Sequence, residues 1–172
     1  MALPSALSNQ PEPSADSPDF AAFFAQSEPM LRRAFVAQFG VDLGREAASE
    51  ALSYGWSNWS RVGVMANRRG YLFRVGQRWA RRQRNRSRRP ALGRYEPPQL
   101  ESSFEPGLGA ALDKLSPQQR VSVALVVGFG YSHQQVADML GLSRSSVQTH
   151  TERAMASLKK TLGVIKSKEP RT

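Results

Sequence analysis

The 172-residue chain has no cysteine and only two histidines, His133 and His150. Disulfides, thiolate zinc sites and a thiol redox sensor are therefore excluded within it, and this set does not build a metal site. No apolar run approaches the length that crosses a bilayer. The stretch Met1 to Asp19 is acidic and rich in Ser, Pro and Ala, without the basic start and apolar centre of a signal peptide. A cytoplasmic protein without membrane contact is expected, with residues 1–17 as a disordered tail. Strand-like alternation is also missing, so the fold class expected is all-α. Neither a nucleophile–base signature nor a phosphate-cradling glycine loop occurs, so no catalytic residue is assigned, no enzyme is expected and no cofactor is implied.

Acidic residues are absent where arginines are densest. The chain carries 24 Lys and Arg against 14 Asp and Glu, a formal charge of +10, yet none of the acids falls between Glu50 and Glu96. Into that gap fall Arg68, Arg69, Arg74, Arg78, Arg81, Arg82, Arg84, Arg86, Arg88 and Arg89. Self-repulsion on this scale calls for counter-anions, and phosphate binding is the expected use. Tyr71, Leu72, Val75 and Trp79 keep helical phase through the first half of the run, so the arginines there are predicted to sit on a folded surface.

The apolar pattern predicts helices before that point as well. Phe20, Phe23, Phe24, Leu31, Phe35 and Phe39 recur at threes and fours ahead of Gly40, with Pro29 expected to kink or split the segment near Glu28. A second helix is predicted from about Asp42 to Trp59, with Ala48, Leu52, Trp56 and Trp59 inward and two tryptophans anchoring a small core. A third is predicted to start behind Asn67 as its cap. Prolines 90, 97, 98 and 106, together with Glu96, Glu101 and Glu105, mark residues 90–109 as an extended, flexible linker. The chain thus divides into a first domain, 18–89, and a second, 110–163, with a frayed tail at 164–172.

The second domain carries the most specific signal. Ser116, Pro117 and Gln119 form a capping box with proline at the first helical position, and Ser132 and Gln135 repeat the box for the next helix. That helix must end near Gly141, and Ser143 caps another about three residues on. Ala137 is small where the two helices cross, while Val136, Leu140, Leu142 and Val147 bury the corner. Such spacing reads as a helix-turn-helix. On its last helix Val147, Thr151, Ala154 and Leu158 form the inward stripe, leaving Arg144, Ser145, Ser146, Gln148, Thr149 and Arg153 as candidates for DNA contact. Arg144, in the first turn, suits bidentate contact with guanine and Gln148 contact with adenine, phosphate being the alternative for both.

Both halves resemble one family. The stretch Gly44 to Trp56, followed by Trp59-Ser60-Arg61-Val62 and Asn67-Arg68-Arg69-Gly70-Tyr71-Leu72-Phe73-Arg74-Val75, is similar to the sigma-two domain of bacterial sigma factors of the extracytoplasmic-function group, within the sigma-seventy family. The Pro117-Gln118-Gln119-Arg120 helix and the helix-turn-helix, through Arg153 to Leu158, resemble the sigma-four domain. The resemblance implies two small helical domains joined by a flexible linker, acting as a dissociable subunit of RNA polymerase that directs promoter-specific initiation. It implies that the helix with Arg45, Glu46, Ser49 and Glu50 docks on the clamp of core polymerase. It further implies that Asn67, Arg68, Arg69, Arg74 and Arg78 contact and open the minus-ten element. The second domain would bind the polymerase flap and read the duplex minus-thirty-five element, and an anti-sigma factor is a further partner the family admits. A LuxR-like regulator and a general basic nucleic-acid-binding protein remain alternatives on the residues alone.

Overall fold

A computed structural model describes residues 18–87 and 107–163, all of whose regular structure is helical. The proposed tail, most of the linker and the C-terminal segment lie outside the described residues. Helix α1 spans Pro18–Phe39 and α2 Val41–Ser57; the one-turn α3 (Trp59–Val62) and the long α4 (Arg68–Ser87) complete the first half. The second half holds α5 (Leu108–Asp113), α6 (Pro117–Val123) running into a π-helical turn (Ala124–Gly128), α7 (His133–Leu140) and α8 (Arg144–Thr161). Because α5 begins at Leu108, Leu108 and Gly109 belong to a helix and not to the linker.

Pro29 neither splits nor ends α1, which is continuous through it. The missing N–H leaves the Ala25 carbonyl without its helical donor. Met30, Leu31, Ala34 and Phe35, just beyond, are fully buried, and their packing outweighs that loss.

The core of the first half also differs from the expected one. Phe35 of α1 stacks on Phe73 of α4 with centroids 5.0 Å apart, and Met30, Leu31 and Leu72 close around them. Each such side chain contributes about 1.5–3 kcal/mol on burial. Trp56 and Trp59 are half-buried at the rim, where both meet Phe20 edge-on, at 4.9 and 5.0 Å. On α4 the buried positions are Gly70, Leu72, Phe73, Gly76 and Ala80, while Tyr71, Val75 and Trp79 are only partly covered. Small residues permit α2 and α4 to approach closely, so the buried face lies one residue away from the aromatic stripe.

The two halves do not stand apart. Val121, Leu125, Val136, Ala137, Met139 and Val147 of the second half belong to the same apolar cluster as Phe35 and Phe73 of the first. Helices α1 and α4 pack against α6, its π-helical turn and α7. A smaller cluster of Ala111, Leu115, Val123, Ala154 and Leu158 ties α5, α6 and α8 together.

Candidate nucleic-acid and polymerase interfaces

The helix-turn-helix is built by local hydrogen bonds at each corner. Ser116 Oγ accepts from Gln119 N at 3.3 Å, and the Gln119 side chain accepts from Ser116 N at 3.1 Å. Ser132 and Gln135 repeat the exchange at 3.2 and 2.9 Å, and Ser143 Oγ accepts from Ser146 N at 3.1 Å. These bonds satisfy N–H groups that a helix start otherwise leaves without partners. Gly141 ends α7 with φ of 68°, a left-handed conformation that glycine adopts without strain, and only Leu142 and Ser143 separate it from α8.

On α8 the buried stripe is Val147, Thr151, Ala154 and Leu158, as the spacing predicts. The Thr151 hydroxyl donates to the Val147 carbonyl at 2.9 Å, which satisfies it inside the helix. Arg144, Ser145, Gln148, Thr149 and Arg153 are exposed on the opposite face. Ser146 stands apart from them: half-buried, it lies with its hydroxyl 2.8 Å from Ser143 Oγ and belongs to the cap. Gln148 donates to Glu152 at 2.9 Å, so a carboxylate that sequence reasoning left aside shares this face.

Helix α4 carries eight arginines and no acid in 20 residues. Arg74, Arg78, Arg81 and Arg82, with Gln77 and Asn85, line an open groove of about 370 Å³. Arg69 does not project from that surface. It is half-buried, donating to Ser27 Oγ at 3.3 Å and lying 3.7 Å from Met30 Sδ, because its position on α4 turns it toward α1. Arg68 lies over the Trp59 ring, 5.8 Å from its centroid. Asn67 caps α4, its Oδ1 accepting from Gly70 N at 2.8 Å, while its Nδ2 donates to the backbone carbonyl of Asp138 on α7.

Arg45, Glu46, Ser49 and Glu50 are all exposed on α2. Arg45 and Ser49 border a groove of about 540 Å³ between α1 and α2, floored by Ala48 and Leu52 and walled by Phe20, Phe24 and Trp56. An apolar floor under a charged rim suits a protein partner. On α2, α3 and α4, Arg61 donates to both Tyr54 and Tyr71, whose hydroxyls lie 3.2 Å apart. The hydrogen bond with Tyr54, then burial, pushes the Tyr71 hydroxyl above its usual pKa.

Sequence reasoning missed Arg33. Its guanidinium lies 4.6 Å above the Phe129 ring and donates to the Tyr131 hydroxyl at 2.9 Å, joining α1 to the turn before α7. No local signal marks a pair 98 residues apart. His133 and His150 sit on separate helices, and among the described residues no helix is long and apolar enough to cross a membrane.

Residues 107–158 match the family described as Sigma-70, region 4. The fold resembles that of the sigma factor RpoE in its co-crystal structure with the anti-sigma factor NepR from Bartonella quintana. The TM-score is 0.59 at 21% identity, over 85% of this chain and 98% of that one. No curated protein matches the chain. Residues 107–158 are thus similar to sigma-70 region 4, and the described helices together have a fold similar to that of a sigma factor.

Proposed function

We propose that this chain is a sigma factor of the extracytoplasmic-function group, which binds core RNA polymerase and directs promoter-specific initiation from the cytoplasm. The observation that carries this is the presence, on one chain, of an arginine-rich surface and a separate exposed recognition face. The acid-free α4 lies in the first half, and the outward face of a capped helix-turn-helix lies in the second. In this assignment residues 18–89 engage the polymerase clamp through Arg45, Glu46, Ser49 and Glu50, and the minus-ten element through Asn67, Arg68, Arg74 and Arg78. Arg69 supports that surface from behind, through Ser27 and Met30. Residues 110–163 bind the flap and read the minus-thirty-five duplex through Arg144, Ser145, Gln148, Thr149 and Arg153, with Ser146 holding the start of α8. Arg144 stands in the first turn of the recognition helix, where side chains reach base edges. RpoE crystallised with NepR supports an anti-sigma factor as a partner here too.

The match to region 4 favours this function over a LuxR-like regulator. Co-purification tests it: the chain should associate with core polymerase in the absence of DNA and, when added to core, start transcription at discrete promoters. A LuxR-like regulator would not bind core, and a general nucleic-acid binder would follow any polyanion. Failure to bind core polymerase overturns the assignment.

A further inference from the structure

Helix α8 carries a single acid in 18 residues, Glu152, and it is exposed on the side of the candidate DNA contacts. It makes no ion pair among the described residues, so nothing on the chain neutralises it. Arg144, Gln148 and Glu152 recur at intervals of four and form one row along the helix, about 12 Å from first to last. Within the row Gln148 Nε2 donates to Glu152 Oε1 at 2.9 Å. A carboxylate only accepts hydrogen bonds, so the Gln148 amide must turn its NH2 toward it; the opposite flip would set two acceptors against each other. The pair therefore leaves the Gln148 carbonyl and the second Glu152 oxygen for a partner, and both are acceptors.

That chemistry narrows the partner. In the major groove of a duplex the bases donate through N4 of cytosine and N6 of adenine, whereas guanine and thymine present the acceptors O6 and O4. Each base pair carries one amino and one keto base, on opposite strands. A group of acceptors thus reads which strand bears the amino base.

We propose that Glu152 is a specificity-determining residue of the recognition helix. With Gln148 it selects, at one base pair of the upstream element, the orientation that turns an adenine or cytosine amino group toward α8, and it rejects the reverse. The proposal rests on the assignment of α8 to the minus-thirty-five duplex. Arg144, at the start of the row, suits the opposite polarity, the O6 and N7 acceptors of guanine. At 3.4 Å per base pair the length of the row sets the two positions about three or four base pairs apart. Reading an acceptor at one end and a donor at the other fixes the direction of α8 along the DNA. The neighbouring row compensates for an acid beside a polyanion: Ser145, Thr149 and Arg153, with His150, line an open hollow of about 300 Å³ and offer the donors that a phosphate needs.

The test is a selection from duplexes randomised over the upstream element, made by the full-length chain alone and by its complex with core polymerase. The wild type should favour A or C over G or T about fivefold at one position of one strand. Glu152→Gln, which can still accept from Gln148 but adds a donor, should remove that preference and leave the guanine preference in place. Glu152→Lys, which only donates, should invert it to G or T. Glu152 is exposed, so neither change disturbs the core. If neither variant alters base preference at any position, or if both only raise affinity for every sequence alike, the proposal is overturned and the assignment of α8 stands; the acid then does no more than hold Gln148 or repel phosphate. If the wild type selects no upstream sequence, with or without polymerase, the assignment of α8 falls and takes the proposal with it. Selection that follows Glu152 in a chain that does not bind core polymerase upholds the proposal and removes the sigma assignment alone.

Discussion

Gly76 on α4 faces Phe35 on α1 so closely that a Cβ at Gly76 would stand 2.3 Å from the ring edge, and 2.8 Å from the Ala47 carbonyl on α2. Three helices therefore meet at a position with no room for a methyl group. The Phe35 ring is locked by Phe73 and the Ala47 carbonyl is backbone, so neither yields cheaply. Gly76→Ala should cost about 1–3 kcal/mol despite the better helix propensity of alanine, read as a lower urea midpoint. An unchanged midpoint would mean that α2 and α4 relax apart freely.

Loss of the Ser132 cap should destabilise the chain by about 1 kcal/mol in Ser132→Ala, with the thermal midpoint as readout. The exchange with Gln135 is reciprocal, so Gln135→Ala added to it should cost less than the sum of the two single changes. Additive losses would show the two bonds to be independent.

Charge reversal on the outer face of α2 should separate folding from assembly. Glu46 and Glu50 are exposed and make no ion pair among the described residues, so Glu46→Lys with Glu50→Lys should keep native helicity. Core polymerase should no longer be retained in a pull-down. Retention at wild-type level would place the polymerase contact elsewhere.

Arg144→Ala should cost about 1–3 kcal/mol on the preferred upstream element and relax selection mainly at one base position. A binding assay over a randomised duplex library gives both numbers. Equal loss on every sequence would assign the side chain to phosphate.

The groove on α4 should act through counterion release. Arg78→Ala with Arg82→Ala should lower the slope of log affinity against log salt by about 0.7 for each lost phosphate contact to single-stranded DNA. Permanganate reactivity of promoter thymines should fall with it. Full melting by the double variant would rule out a role for this groove in opening.

The capped corners and the buried stripe of α8 were legible because they depend on neighbours within one turn. Ser132 and Gln135 are three residues apart, and Val147, Thr151, Ala154 and Leu158 repeat at threes and fours. Longer-range determinants left no such trace. Pro29 breaks a local rule that the surrounding burial overrides, and no spacing says that Gly76 and Ala80, not Trp79, face the core. Arg69 illustrates the limit for the candidate site. In a run of identical residues only the packing of α1 beside α4 distinguishes the arginine that turns inward from those that remain on the groove.

The π-helical turn after α6 sets the azimuth of everything that follows it. Phe129 N–H reaches back five residues to the Ala124 carbonyl at 3.0 Å, so this turn holds one residue more than an α-helical turn would. One residue is worth about 100° of rotation, and a segment shorter by one would carry Phe129 and Tyr131 more than a quarter-circle away from Arg33. The contact is thus written as a phase as well as a set of side chains. A related chain that keeps Arg33, Phe129 and Tyr131 but has a one-residue gap between Ala124 and Gly128 would possess every side chain of this contact and be unable to make it.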